Sequence, residues 1–250
     1  MIGNIHSIDT FSTLDGPGIR TVIFLQGCHL RCQYCHNPDT WDCNAASAQR
    51  YESTEIIRII MRNLPYYQAS GGGVTFSGGE PLLQAEFVKS VFSECKQAGI
   101  HTALDTSLYV AGKFVSEVLS YTDLFLADIK QINAEKSKVL TGAGNSMNIS
   151  NLHLINERQV DIWIRYVIVP GLTDDEEDIT ALGEFMAKLD YVRRVELLPY
   201  HALGSHKWRL LGLEYKLGDT MVPTAVRMKE LQARLELVSG KPVFIPGDLV

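Results

Sequence analysis

Six short runs rich in β-branched and aromatic residues punctuate the chain: IRTVIFLQG (19–27), GVTFSG (73–78), HTALDT (101–106), DLFLADIK (123–130), IWIRYVIVPG (162–171) and RVELLPYH (194–201). Runs of this length, apolar on both faces, read as buried strands of a parallel sheet. Between them the apolar period changes to that of a helix. In LLQAEFVKSVFSECKQAG, Phe87, Val88, Val91, Phe92 and Cys95 share one face. TDDEEDITALGEFMAKL opens with acids in its first turn, as helix N-termini favour. Met228, Leu231, Leu235 and Val238 recur at helical spacing, with Pro223 where that helix can start and Gly240 where it can stop. Strands alternating with helices imply the α/β class, with parallel strands and outer helices. Six units fall short of the eight of a closed barrel, which leaves an open doubly wound sheet or a partial TIM-like (β/α)6 barrel. No repeat, linker or low-complexity segment divides the chain, so one domain over 1–250 is expected, with its core at about 15–201 and a C-terminal helix and tail at about 217–250.

Polar residues gather where these strands end. SGGE (77–80) closes the second run, Asp105 and Thr106 the third, Asp128 and Lys130 the fourth, and His201 the sixth, while Arg165 lies within the fifth. In parallel α/β folds the carboxyl ends of the strands share one rim, where sites form.

Composition narrows the choice of partners. The chain has 250 residues, 46% hydrophobic and 21% charged, with a net charge of −6. That balance argues against nucleic acid or an anionic membrane as the main partner. No apolar run approaches the roughly 18 residues that span a bilayer, and MIGNIHSIDT lacks the basic and apolar regions of a signal peptide. Five cysteines, three of them bunched, fit a metal site in a reducing compartment better than a disulfide framework. The expected location is the cytoplasm.

The bunch is GCHLRCQYCHNP (27–38), with Cys28, Cys32 and Cys35 on the loop after the first strand. Three thiolates on one loop can face one cluster. A structural zinc site would want a second, distant pair, or Cys43, His29 or His36 as fourth ligand. A closed four-cysteine cluster would need Cys43. With Tyr34 before the last cysteine, C-x3-C-x2-C after a first strand resembles the signature of the radical S-adenosylmethionine (SAM) enzymes. DGPGIRTVIFLQGC, CHNPDTW, SGGGVTFSGGE, LDT, DIKQ, WIRYVIVPG and ELLPYH followed by G-x-HKW further resemble the glycyl-radical activases of that superfamily. The resemblance runs from about Ile5 to about Lys216. The extra cysteines of a ferredoxin-like insertion are missing, which favours the type acting on pyruvate formate-lyase.

Six units are read as a partial (β/α) barrel, and the two missing units would leave a lateral gap that suits a protein substrate inserting a loop. The resemblance implies a 4Fe–4S cluster on Cys28, Cys32 and Cys35, with one iron left for SAM. Reductive cleavage of SAM then gives a 5′-deoxyadenosyl radical that takes hydrogen from a backbone glycine of pyruvate formate-lyase. Tyr34 and His36 are implied at the adenine end, and Gly78, Gly79 and Glu80 at the methionine ammonium. Lys130 and Arg165 suit the methionine carboxylate, and Asp128, Ile129 and His201 the ribose and adenosine. Asp105, Thr106, Asp128 and the carbonyl of Leu126 are implied ligands of a monovalent cation, Na+ or K+. Asp15 is implied as a contact to the partner's glycine loop. Flavodoxin or ferredoxin is the implied electron donor and a monomer the expected state. A different glycyl-radical partner, or a small-molecule substrate, is the competing enzyme reading.

Plainer readings exist for most of these residues. Asp105 and Asp128 can simply end strands, Arg165 can pair with Asp161 or Glu196, and His201 can be packing. Cys95 is expected in the core and Cys43 as a thiol outside the site. Lys207 and Trp208 fit either packing or a partner contact, and the acids of DDEED a solvated helix start. SLYV follows Asp105-Thr106 where asparagine-glycine is more usual, and beyond about residue 217 the resemblance fades.

Overall fold

The computed structural model describes residues 1–246; the end of the expected tail, 247–250, lies outside the described residues. Two compact units emerge. One holds Met1–His29 and Thr40–Ala127, the other Leu30–Asp39 and the chain from Asp128 onward.

The first unit carries β1 (Ile2–Ser12), β2 (Arg20–Leu25), β3 (Gln49–Glu52), β4 (Gly73–Gly78), β5 (His101–Thr106) and β6 (Leu124–Asp128, whose last residue opens the second unit), in the order β3-β1-β2-β4-β5-β6. From β2 to β6 the strands are parallel, whereas β1 runs antiparallel to both β2 and β3. Its helices are α1 (Ser53–Arg62), α2 (Leu64–Ser70), α3 (Ala85–Gln97) and α4 (Gly112–Val118). Val22, Ile23, Leu25, Val74 and Phe76 are fully buried, as continuous apolar strands covered on both faces should be. The predicted face of α3 is buried in full, Cys95 included, and Phe87 and Phe92 meet Phe76 at ring separations of 5.9 and 5.3 Å. Burial pushes the Cys95 thiol up to about 12, as befits a core residue.

The second unit carries α5 (Ala134–Thr141), α6 (Ser146–Glu157), β7 (Asp161–Ile168), α7 (Glu176–Met186), β8 (Val192–Pro199), α8 (Ser205–Leu210), α9 (Ala225–Ser239) and β9 (Val243–Phe244), with β7, β8 and β9 parallel. Side-chain caps start three of its helices: Asn133 accepts from the N–H groups of Glu135 and Lys136, Asp175 from those of Glu177 and Asp178, and Thr224 from that of Arg227. Each such cap contributes about 1 kcal/mol. Gly142 and Gly240 end α5 and α9 in the left-handed conformation. Pro223 therefore precedes the cap of α9 rather than occupying its first turn. α7 packs on α9 at Gly183, where a Cβ would stand 2.7 Å from a methyl carbon of Val238.

The six predicted runs are β2, β4, β5 and β6, parallel in the first unit, and β7 and β8, parallel in the second, where the short β9 joins them unpredicted; the α/β class holds. The acidic run departs from expectation at Asp178, which is 4% exposed and accepts from Gln131 Nε2 at 2.9 Å and Lys136 Nζ at 2.7 Å.

Candidate cofactor site and the family

In the first unit, the loop after β2 is built into its surroundings by backbone hydrogen bonds. Gly27 and Cys28 donate to the carbonyls of Thr40 and Trp41, at 2.7 and 3.2 Å. From the end of β4, Gly79 donates to Leu25 O and Glu80 to Gly27 O. Only glycine fits here: a Cβ at Gly79 would lie 2.1 Å from the Gly27 carbonyl oxygen, and Gly78 has φ +113°. The Gly-Gly-Glu element thus abuts the residue before Cys28, although the two are some fifty residues apart in sequence. Cys43, exposed, packs against Gly27 as well, its Sγ 2.9 Å from where a Cβ would stand.

Glu80 is 2% exposed and turns its carboxylate inward. It accepts from Leu82 N, Thr106 Oγ1, Ser107 N and Ser107 Oγ at 2.6–3.1 Å. Burial raises its proton affinity and these four donors oppose that rise. Thr106 Oγ1 accepts in turn from Leu108 N, and Leu108 sits at φ +58° with its side chain fully buried. A left-handed leucine stands where the usual glycine would meet no strain. Beside it, Asp105 accepts from Ser77 Oγ at 2.6 Å. Asp105 and Thr106 lie opposite Leu126 and Ala127 across β5 and β6, so three of the four residues implied for a cation are neighbours. Asp15 precedes β2, at the strand end away from Cys28, and its carbonyl accepts from Thr75 Oγ1. Arg20, fully buried, donates to that same Thr75 and to Pro17 O and Val74 O.

The second unit holds the remainder of the cysteine loop. Arg31 N and Gln33 N donate to the carbonyls of Thr141 and Leu140 at the end of α5, and Cys35 N closes a turn onto Cys32 O. Lys130 forms an ion pair with Asp128 at 2.8 Å, and its Nζ lies 5.9 Å from the centre of the Tyr34 ring. Burial works against the ammonium charge, but Asp128, Tyr34 and Cys32 outweigh it and hold Lys130 protonated well above the ordinary lysine range. Tyr34 is 5% exposed and its hydroxyl makes no hydrogen bond among the described residues. His36 stacks on His201 with ring centres 4.1 Å apart, and its Nε2 donates to the His201 carbonyl. Ile129 N donates to Arg165 O. The Arg165 guanidinium pairs with Glu196 at 3.0 Å, both side chains buried, which is the cross-strand partner the sequence offered as an alternative.

The residues suit the group the resemblance implies. Cys28, Cys32 and Cys35 are outside any disulfide. Among the described residues, the buried Tyr34 hydroxyl and His201 Nδ1 are polar atoms without a hydrogen-bond partner. Among the described residues no three His, Cys, Asp or Glu side chains surround a single metal ion; a four-iron cluster is a larger body whose thiolates stand further apart. Sequence reasoning found the strand-end residues but left Trp208, Lys207 and Asp39 without roles. Here Trp208 Nε1 donates to the Cys35 carbonyl at 2.8 Å and Lys207 pairs with Asp39 at 2.9 Å. G-x-HKW was the only signal, and spacing alone does not name a partner 173 residues away.

Comparison with known proteins agrees with this chemistry. The Radical SAM superfamily model matches residues 22–182. A pyruvate formate-lyase-activating enzyme of Clostridium pasteurianum is 46% identical over 94% of this chain and 98% of its own length. One from Staphylococcus aureus is 45% identical over 88% and 90%. Among solved structures, a domain of the pyruvate-formate lyase-activating enzyme of Bacteroides vulgatus is similar with TM-score 0.60 and 29% identity, over 70% of this chain and 99% of that one. Streptococcus suis SuiB bound to its precursor peptide shares the fold, with TM-score 0.68 and 18% identity over 97% and 50%. The chain belongs to the radical SAM superfamily and, within it, to the family of the pyruvate formate-lyase-activating enzymes.

Proposed function

We propose that this protein installs the glycyl radical of a pyruvate formate-lyase. The observation that carries the reading is the 46% identity extending over 98% of an activating enzyme, with the C-x3-C-x2-C loop intact. When bound, the 4Fe–4S cluster and SAM supply a 5′-deoxyadenosyl radical able to take hydrogen from a backbone glycine. Cys28, Cys32 and Cys35 would hold the cluster, supported by three thiols outside any disulfide.

Around it the chain's own groups bind and orient. Gly78 and Gly79 would offer backbone to the methionine ammonium, with Glu80 stiffening the turn because its carboxylate is taken up by protein donors. Lys130 is a fixed cation for the methionine carboxylate. Arg165, whose guanidinium pairs with Glu196, would be a second cation on the methionine side. Tyr34, His36, Asp128, Ile129 and His201 would line the adenosine side, where the buried Tyr34 hydroxyl can still donate. Asp105, Thr106, Leu126 and Asp128 form an oxygen set of the kind hard cations prefer, here Na+ or K+. Asp15, at the opposite end of β2 from Cys28, would meet the glycine loop only where that segment extends along the length of the strand. The reading includes a monomer acting in the cytoplasm in anaerobic glucose metabolism, with electrons from flavodoxin or ferredoxin.

The test is anaerobic reconstitution with iron and sulfide, reduction, and mixing with SAM and pyruvate formate-lyase. A glycyl-radical doublet by spin resonance is expected. SAM cleavage without that doublet means another substrate, and a colourless protein that cleaves no SAM overturns the reading.

A further inference from the structure

The Gly-x-His-Lys-Trp run does no work in the reading above, yet it forms a concentrated set of contacts within the second unit. Trp208 is 6% exposed and its indole N–H, which can only donate, ends on the Cys35 carbonyl at 2.8 Å. One residue earlier, Lys207 Nζ reaches Asn37 Oδ1 at 2.9 Å and Asp39 Oδ2 at 2.9 Å. Gly204 lies so close to His36 that a Cβ would stand 2.5 Å from its Cα. The indole is braced edge-on by Tyr215 at 5.4 Å, whose hydroxyl meets that of Tyr200 at 2.8 Å. Residues 201–208 therefore grip 35–39 by ring stacking, an ion pair, a close backbone approach and one directed hydrogen bond to the cysteine itself.

We propose that Trp208 is a positioning residue for Cys35, holding the cysteine loop in its cluster-binding shape before any iron arrives. This rests on the radical SAM reading of Cys32 and Cys35. A metal loop left loose must be ordered when the metal binds, and that entropy is subtracted from affinity. A loop tied by groups outside the ligand set has met the cost during folding, and such outer groups also set ligand orientation. The indole contact fixes the peptide plane after Cys35, and with it the direction of the Cα–Cβ bond that carries the sulfur.

Trp208→Phe removes the N–H and keeps the ring. In cluster-free protein kept anaerobic, alkylation by iodoacetamide is followed residue by residue by mass spectrometry, with Cys28, Cys43 and Cys95 as internal references. W208F is expected to react roughly fivefold faster at Cys35, the worth of one neutral hydrogen bond, with the references unchanged. After reconstitution, W208F at equal iron content should lose iron faster to a chelator and change the visible circular dichroism of the cluster. Alkylation and iron loss at wild-type rates overturn the proposal, as does an equal rise at all five cysteines, which marks general loosening. A wild-type protein that takes up no cluster overturns the radical SAM reading and this proposal together. A wild type that loads normally beside an indistinguishable W208F overturns this proposal alone.

Discussion

The carboxylate of Glu80 takes both the backbone N–H and the hydroxyl of Ser107, at 3.0 and 2.6 Å. With Thr106 Oγ1 and Leu82 N also donating to it, this glutamate ties the end of β4 to the end of β5 from inside the first unit. Glu80→Gln replaces a charged acceptor by a group that turns an N–H2 toward buried donors. A loss of about 2–3 kcal/mol is expected, read as a lower urea midpoint at unchanged slope. A variant as stable as wild type would show that the carboxylate is not what holds the turn.

Leu108 makes a second prediction, because its φ of +58° and its full burial pull in opposite directions. Leu108→Ala keeps the strain and empties the core, at a cost of about 2–5 kcal/mol. Leu108→Gly loses the same packing but relieves the left-handed backbone by about 1 kcal/mol. The glycine variant should therefore be the more stable of the two, the reverse of the order in an ordinary buried strand or helix. Paired denaturation curves decide it.

Gly79→Ala is expected to be far worse than Gly71→Ala. The first drives a Cβ to 2.1 Å from the Gly27 carbonyl, beside Cys28, whereas the second finds open space and pays only for φ +68°. About 1 kcal/mol is expected at Gly71. At Gly79 the prediction is insoluble protein or protein that cannot be loaded with iron, checked by iron per chain after reconstitution.

Cys43 is exposed and packs on Gly27. Cys43→Ala should bind as much iron as wild type, and Cys35→Ala should bind no stable cluster. If C43A lost the cluster, the ligand count would be four and the place kept for SAM would be closed.

His101 contributes to the pH dependence of the cluster-free fold, beside His36, which burial also holds below the ordinary histidine range. Burial first, and then the Arg20 guanidinium 3.4 Å away, hold His101 below that range. Burial lowers Arg20 itself to about 10, so it stays charged at neutral pH. A histidine with a lowered native pKa stays neutral in the fold while the unfolded chain takes up a proton. Stability is then unaffected well above about pH 6.5 and falls as pH drops through that value. His101→Gln should flatten the fall between about pH 7 and 5 in urea midpoints. An unchanged slope would assign the fall to other groups.

How much of this was legible in the sequence depended on distance along the chain. The strands β2, β4, β5, β6, β7 and β8 declared themselves because strands covered on both faces must be apolar throughout. The antiparallel pair β1 and β3 did not: QRYE carries no apolar period, and its partner lies at residues 2–5. Asp128 and Lys130 could be placed at a strand end from local pattern, but their ion pair could not. Glu196 was one of two partners offered for Arg165, and only the register of β7 on β8 chose it. His36 on His201 and Trp208 on Cys35 were out of reach, since nothing local in either segment specifies the other.

The grip of Trp208 on Cys35 also has a consequence in time. The two residues are 173 positions apart, and a ribosome adding about 5–20 residues per second delivers the second roughly nine to thirty-five seconds after the first. Throughout that interval the nascent chain exposes its thiols with no indole to hold them. If Trp208 positions Cys35 as proposed, iron delivered to a growing polypeptide would meet an unshaped loop, and loading would be favoured only after α8 has left the ribosome and closed on the turn.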